Sequence, residues 1–244
     1  MRWLFCLRTI PLIIAFLIFL GCSDNWVNIT ANVSLVKEEL RKSEPIGNGH
    51  VNNKKVRPKG SPAASIDFDG QIAMRHIEAQ TGFGPRSPEN PNAKLQTLSY
   101  IRSQIPSSME IQLHKFNANG FNGTNLWVSS RAAKKKSTTL IMLGTHWDTR
   151  SQADRDTDIT KRNMPVLGAN DGASGVAVLI EIAKHLHKQP PEINVDLIFF
   201  DLEDIGNIGK NAYAMGSREF VEEHPKYRPT AGIIIDMVCD KNLR

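Results

Sequence analysis

Residues 172–200 read GASGVAVLIEIAKHLHKQPPEINVDLIFF, and this stretch decides the fold. Val176, Ala177, Leu179, Ile180, Ala183 and Leu186 recur at the three- and four-residue spacing that lays one apolar stripe along a helix, so Gly172–His187 is predicted helical. Pro190-Pro191 ends that helix, because proline lacks the N–H a helix interior needs. Val195–Phe200 then forms a short apolar run of the kind that makes a strand buried on both faces. Upstream, Thr138–Thr145 is a similar run, expected to be a central strand covered on both faces. Downstream, Asn211–Glu223 is predicted to be a helix and Ala231–Ile235 a strand. Strand–helix–strand–helix–strand order implies right-handed crossovers and a largely parallel core sheet with helices on both faces.

Before this core, Ile72, His76, Ile77 and Ala79 predict a helix that stops at Gly82 and Gly84-Pro85. Lys94–Gln104 is predicted as a second helix, with Leu95, Leu98, Tyr100 and Ile101 on its apolar positions and Pro106 beyond its end. Met109–Phe116 and Thr124–Ser129 are expected strands. The polar stretch Ser151–Asn163 is a long loop, and loops of that length inside a compact domain often carry function.

The chain has 244 residues, enough for one sizeable domain, with 41% hydrophobic and 23% charged residues, so composition alone selects no function. The net charge of +5 is partly local. Arg131, Lys134, Lys135 and Lys136 form one basic run, and Lys54, Lys55, Arg57 and Lys59 another. With no aromatic or motif context these read as solvated loops, and no nucleic-acid partner is expected.

Arg2 and Arg8 precede Ile10–Leu20, an apolar stretch too short to span a bilayer comfortably and of the length of a signal-peptide core. It closes on Gly21-Cys22, which resembles a bacterial lipoprotein processing site. Residues 1–22 are therefore expected to direct export to the cell envelope, with lipid on Cys22 as a membrane tether; an ordinary cleaved signal and a short uncleaved anchor are the alternatives. Residues 23–65 are polar and weakly periodic and read as a flexible tether, leaving 66–244 as the folded domain. Of three cysteines, Cys6 lies in the signal and Cys239 is expected to be a buried, inert thiol, so no disulfide framework is available.

The chemistry gathers where strands end. His146-Trp147-Asp148 follows one apolar run, Asn170-Asp171 opens the best helix, Asp201-Leu202-Glu203-Asp204 follows the next run, and Asp236 closes the last. Ligands bind outside the carboxyl ends of parallel strands. One histidine and several carboxylates there have the donor chemistry of a divalent-metal site with an acid/base beside it. Residues two apart on a strand share a face, so His146 reads as a metal ligand whose ring Asp148 orients. Asp171 reads as a helix cap or as a ligand, with Gly168, Gly172 and Gly175 allowing close backbone approach. Consecutive acids after a buried strand repel one another, so a cation should compensate them. One of Asp201, Glu203 and Asp204 would bind metal while a neighbour stays free as a general base. Asp236 reads either as a member of this set or as a turn residue.

Gly144–Arg150, Gly168–Ala177, Phe199–Asp204, Gly216-Ser217-Arg218 and Ile235-Asp236-Met237, with Gly84-Pro85-Arg86 upstream, together resemble the zinc aminopeptidase and glutaminyl cyclase family over about residues 66–244. The resemblance implies a three-layer α/β/α sandwich with a central mixed, largely parallel sheet, and one or two zinc ions. It implies Asp171 as central metal ligand, Asp204 at a ligand position usually held by Glu, and Glu203 as catalytic acid/base. His146 and Asp236 would be second-metal ligands in a peptidase, with Asp148 behind His146. In a single-zinc cyclase they would belong to the hydrogen-bond network of the site, where Asp236 counts with Glu203 among the catalytic residues. The family's last ligand, a downstream histidine, has no counterpart before Arg244, so the chain resembles a family domain cut short at its C-terminus. About a dozen residues separate Asp204 from Gly216-Ser217-Arg218, as in cyclases, although the Ile205–Ala212 insert lacks the cyclases' tryptophan; the Asn170–Ala177 run is more peptidase-like. The expected function is conversion of N-terminal glutamine to pyroglutamate with release of ammonia. The alternatives are an aminopeptidase acting on peptide or protein N-termini and a catalytically inactive envelope lipoprotein on the same fold.

Overall fold

The computed structural model describes residues 68–131 and 137–238. The expected signal (1–22), the whole tether (23–65), the basic residues Lys134–Lys136 and Cys239 fall outside the described residues.

Helix α1, Gly70–Gly82, starts where Asp69 accepts from Gln71 N at 2.9 Å and Ile72 N at 3.0 Å, satisfying two of the amides a helix start leaves without partners. Helix α2 spans Pro91–Gln104. It begins a turn earlier than Lys94, the expected start, because Asn90 caps it through Ala93 N and Pro91 fits the first turn at no hydrogen-bond cost. Strands β1, Glu110–Ala118, and β2, Phe121–Ser130, form an antiparallel hairpin. Strand β3 is Leu140–His146, helix α3 Ala173–Lys188, strand β4 Asn194–Phe200, helix α4 Met215–Glu223 and strand β5 Ala231–Ile234. Helix α4 begins four residues after the expected Asn211. Ala214 has φ +58°, which no right-handed helix accommodates, and its N–H bonds Glu203 O at 3.0 Å.

The sheet has five strands in the order β1-β2-β4-β3-β5. β3 runs parallel to β4 and β5, while β2 pairs antiparallel with β4 and β1. The sheet is thus mixed, with a three-stranded parallel half carrying the strand ends of interest. β4 is the strand buried on both faces. Val195, Leu197 and Phe199 pack with Ile101 of α2 and Leu179 and Ile180 of α3, and Ile198 and Phe200 pack with Phe220 of α4 on the other side. β3, expected to be covered on both faces, is half-exposed from Leu140 to Leu143 and buried only over Gly144–His146. Val176, Leu179 and Ile180 of α3 are fully buried, each contributing roughly 1.5–3 kcal/mol.

This topology creates the crevice. From β3 the chain passes through α3 on one face to β4 on one side of β3. From β4 it passes through α4 on the opposite face to β5 on the other side. The connections diverge at the carboxyl end of β3, where an open α/β sheet leaves room for a ligand.

Candidate metal centre

His146 is the last residue of β3 and is 4% exposed. Two residues on, Asp148 is fully buried and its Oδ1 lies 3.3 Å from His146 Nδ1, the same-face arrangement expected of a His-x-Asp strand end. Asp148 does more than hold the ring. Its Oδ1 accepts from Glu203 N at 3.0 Å and its Oδ2 from Asp204 N at 3.1 Å. One carboxylate thereby fixes both the imidazole and the acidic turn after β4. Burial alone would push the Asp148 carboxyl up, but the His146 hydrogen bond and charge hold it below the ordinary range.

The other imidazole nitrogen faces the crevice. Nε2 lies 2.9 Å from Asp171 Oδ1 and 3.3 Å from Asp236 Oδ1, yet no partner meets it at hydrogen-bonding angles. Donor atoms of His146, Asp171 and Asp236 all lie within 4.8 Å of one another. The donor set fits zinc: one imidazole nitrogen and two carboxylates that bond at about 2 Å, with a buried nitrogen left without a directed partner. The electrostatics agree. Burial opposes a charge on His146, but Asp148, Asp171 and Asp236 outweigh it and raise its pKa well above the usual imidazole value. Three carboxylates around one ring call for a cation, either a proton on the ring or a metal.

Asp171 reaches this position because it is not a helix cap. The residue before α3 is Gly172, with φ +93° and no side-chain cap bond, which frees the Asp171 carboxylate to face His146. Asp236 lies two residues beyond the end of β5 and is followed by Met237 at φ +48°. Its carboxyl is held down first by the His146 imidazole 3.3 Å away, against burial.

The acidic turn divides its carboxylates between two directions. Leu202 has φ +52°, a conformation usually left to glycine. Around it, Asp201 turns inward and Glu203 and Asp204 turn toward the crevice. Asp201 is 1% exposed; it accepts from Lys94 Nζ at 2.7 Å, Thr124 N at 2.8 Å and Leu202 N at 2.9 Å. Asp204 pairs with Arg150 Nη1 at 3.2 Å, and burial followed by Asp171 and Asp148 pushes its carboxyl up to about 6. Burial pushes Glu203 up to about 7, with Asp148, Asp204 and Asp236 adding to the rise and His146 opposing it. A carboxyl near neutrality at a crevice can both take and give a proton at physiological pH.

The structure therefore brings together His146, Asp171 and Asp236, with Asp148 behind the ring and Glu203 and Asp204 on the adjoining turn. Asp236, counted from the sequence among the catalytic residues, stands with the donors. Asp204, counted among the donors, is engaged by Arg150 and lies outside that cluster. The compensating cations expected for the acidic run are Lys94 and Arg150. Lys94 carried no sequence signal, and Arg150 was visible only as the end of the Gly144–Arg150 motif. Arg150 also forms a bidentate pair with Asp154 at 2.7 and 2.9 Å and bonds Gly206 O at 3.0 Å, tying the Ser151–Asn163 loop to the acidic turn.

Residues 125–243 match the profile of Peptidase family M28. Among solved structures, a glutaminyl cyclase from Bacteroides thetaiotaomicron is similar at 32% identity and a TM-score of 0.61, covering 72% of this chain and 64% of its own. A leucine aminopeptidase precursor from the same organism is similar at 32% identity and a TM-score of 0.62, with the same coverage. A Zn-dependent exopeptidase from Parabacteroides distasonis is similar at 30% identity and a TM-score of 0.61, covering 70% of this chain and 62% of that one. The chain thus spans less than two thirds of the length of each of these relatives.

Proposed function

We propose that this chain, whose residues 125–243 match peptidase family M28, is a zinc-dependent enzyme acting on the N-termini of peptides or proteins, and that its reaction is conversion of N-terminal glutamine to pyroglutamate. The observation that carries the reading is the convergence of His146, Asp171 and Asp236 donors within 4.8 Å, with Glu203 beside them at a pKa of about 7. Bound zinc, one ion or two, would act as a Lewis acid toward the substrate carbonyl. His146, Asp171 and Asp236 would hold it, and Asp148 would keep the His146 ring oriented. The acidic crevice favours a substrate that arrives with a positive α-ammonium. Once the ammonium has lost its first proton to solvent, Glu203 would accept a second from the neutral α-amine as that nitrogen attacks the side-chain amide carbon. It would return the proton to the departing amide nitrogen, which leaves as ammonia when its C–N bond breaks.

The sequence favours the cyclase through the spacing between Asp204 and Gly216-Ser217-Arg218. In the fold the stretch between Asp204 and Gly216 carries Gly206, bonded by Arg150, and Tyr213, whose ring lies 5.7 Å from the Arg150 guanidinium carbon, so it forms part of the wall around the acidic turn. A second reading, aminopeptidase, is favoured by the position of Asp236 among the donors and by the peptidase-like Asn170–Ala177 run. Glu203 would then deprotonate a water. Export to the cell envelope, with a lipid or signal anchor, belongs to the same proposal and rests on residues 1–22 alone; among the described residues no helix is long and apolar enough to cross a membrane.

The deciding experiment measures zinc stoichiometry on the purified chain together with ammonia release from an N-terminal glutamine peptide and amino-acid release from general peptides. Zinc with ammonia release supports the cyclase, and zinc with amino-acid release replaces it by the peptidase. Neither zinc nor turnover overturns both and leaves the inactive reading.

A further inference from the structure

We propose that Arg86 is a positioning residue for the metal site, its guanidinium fork holding the end of β3, which carries His146, and the turn that carries Asp171 in the arrangement one ion needs. The proposal rests on the metal reading of the His146–Asp171–Asp236 cluster and adds a residue that touches none of these donors.

Arg86 is 0% exposed, and the acceptors its guanidinium binds are backbone carbonyls. Nε donates to Trp147 O at 2.9 Å, Nη1 to Leu167 O at 2.9 Å and Nη2 to Gly168 O at 2.7 Å; its own N–H donates to Thr149 Oγ1 at 2.8 Å. Burying a charge is costly, and for packing alone an apolar side chain of similar size would serve as well or better. The positions of the carbonyls give the charge its use. Trp147 lies between His146 and its orienting partner Asp148. Leu167 and Gly168 open the turn that delivers Asp171, and Gly168 O also accepts from Ala173 N, the first residue of α3, at 3.2 Å. One planar side chain, 61 residues before Trp147 and 82 before Gly168 in sequence, thus joins the end of β3 to the start of α3.

The turn is shaped around that guanidinium. Gly168 has φ +65°, and a Cβ there would lie 2.8 Å from Arg86 Nη2 and 2.2 Å from Thr149 Cγ2. Gly172 has φ +93°, and a Cβ there would lie 2.7 Å from Asp148 O and 3.4 Å from both Arg86 Nη2 and His146 Cε1. Glycines thus bracket Asn170-Asp171 and let the backbone close over Arg86 on one side and His146 on the other. Lysine keeps the charge but cannot hold three carbonyls in one plane.

Charge and geometry predict opposite signs. A buried cation near the site repels a second cation, so electrostatics alone makes zinc bind more tightly when Arg86 is neutralised. A positioning role makes zinc bind more weakly. The test measures zinc affinity by chelator competition, and amide hydrogen exchange of residues 167–172 in the metal-free protein, for the wild type, Arg86→Lys, Arg86→Gln and Ile101→Val. Ile101 is a fully buried core residue of α2, so its variant controls for lost stability. Both Arg86 variants are expected to lose about tenfold or more in zinc affinity, the range for groups that hold ligands in place, and to exchange faster at 167–172, while Ile101→Val keeps wild-type affinity. Unchanged or tighter zinc binding in the Arg86 variants, or an equal loss in Ile101→Val, overturns the proposal. If the Arg86 variants fail to fold, Thr149→Val removes only the bond to the Arg86 N–H; weakening of about two- to tenfold supports the proposal, and unchanged affinity overturns it. If the wild type takes up no zinc, the metal reading fails on its own and hydrogen exchange alone decides whether Arg86 holds the turn.

Discussion

Replacing Asp148 by Asn tests the site at the one group on which three of its parts depend. The substitution keeps the size and removes one acceptor and the charge. Asp148 receives the Glu203 N–H at 3.0 Å, the Asp204 N–H at 3.1 Å and the His146 ring at 3.3 Å. Asn can still accept from one backbone amide, but its NH₂ then opposes the other, leaving a buried donor without a partner. A hydrogen bond to a charged group contributes about 1.5–3 kcal/mol, and an orphaned buried donor costs about 1–3 kcal/mol more. Against this, Asp148 raises the pKa of Glu203 and of Asp204, so its neutralisation relieves part of a carboxylate repulsion. The lost bonds are short and directed while the repulsion acts over longer distances, so we expect a net loss of about 2 kcal/mol in the metal-free protein. For a domain of this size that corresponds to a fall in Tm of roughly 4–8 °C. Urea unfolding with chelator present measures it, and zinc titration of the same variant is expected to show affinity lower by about 10- to 100-fold. A variant as stable as wild type with undiminished zinc affinity would refute the assignment of Asp148 as the group that orients His146 and the acidic turn.

Glu203→Gln is expected to keep zinc while turnover falls by about 10²- to 10⁴-fold; loss of zinc would move Glu203 from base to ligand. Lys94→Met leaves Asp201, 1% exposed on its side chain, without its cation and should destabilise by roughly 3–5 kcal/mol, less at low pH where Asp201 is protonated; a neutral effect in urea unfolding at pH 8 would show that the carboxylate does not need the lysine. Glu203 also sets a pH dependence. Its folded pKa of about 7 lies above the ordinary 4.5, so its contribution to metal-free stability is fully present below about 4.5 and lost as pH rises through about 7. The difference in urea midpoint between wild type and Glu203→Gln should therefore change in favour of the variant as pH rises from 5 to 8, and a difference that stays flat would place Glu203 in solvent.

What the sequence determined by itself were the features with local causes. Spacing along residues 172–200 foretells α3 and β4, because a helix stripe and a buried strand are properties of neighbouring residues. Helix starts were less legible: α2 begins at Pro91 and α4 at Met215, where a cap or a left-handed residue outweighs apolar periodicity. The proximity of His146 to Asp148 follows from strand geometry, and the demand of the acidic run for cations follows from repulsion alone. Which cations answer that demand was decided only by the tertiary structure. Lys94 meets Asp201 across 107 residues and Arg150 meets Asp204 across 54, and no local pattern encodes such pairings. That Asp236 stands with His146 and Asp171 while Asp204 pairs with Arg150 was likewise visible only in the fold. It depends on Leu202 at φ +52° turning the acidic segment and on β5 pairing beside β3. A carboxylate's chemistry is visible in sequence, but the direction it faces is set by backbone conformation and by strands that become neighbours only on folding.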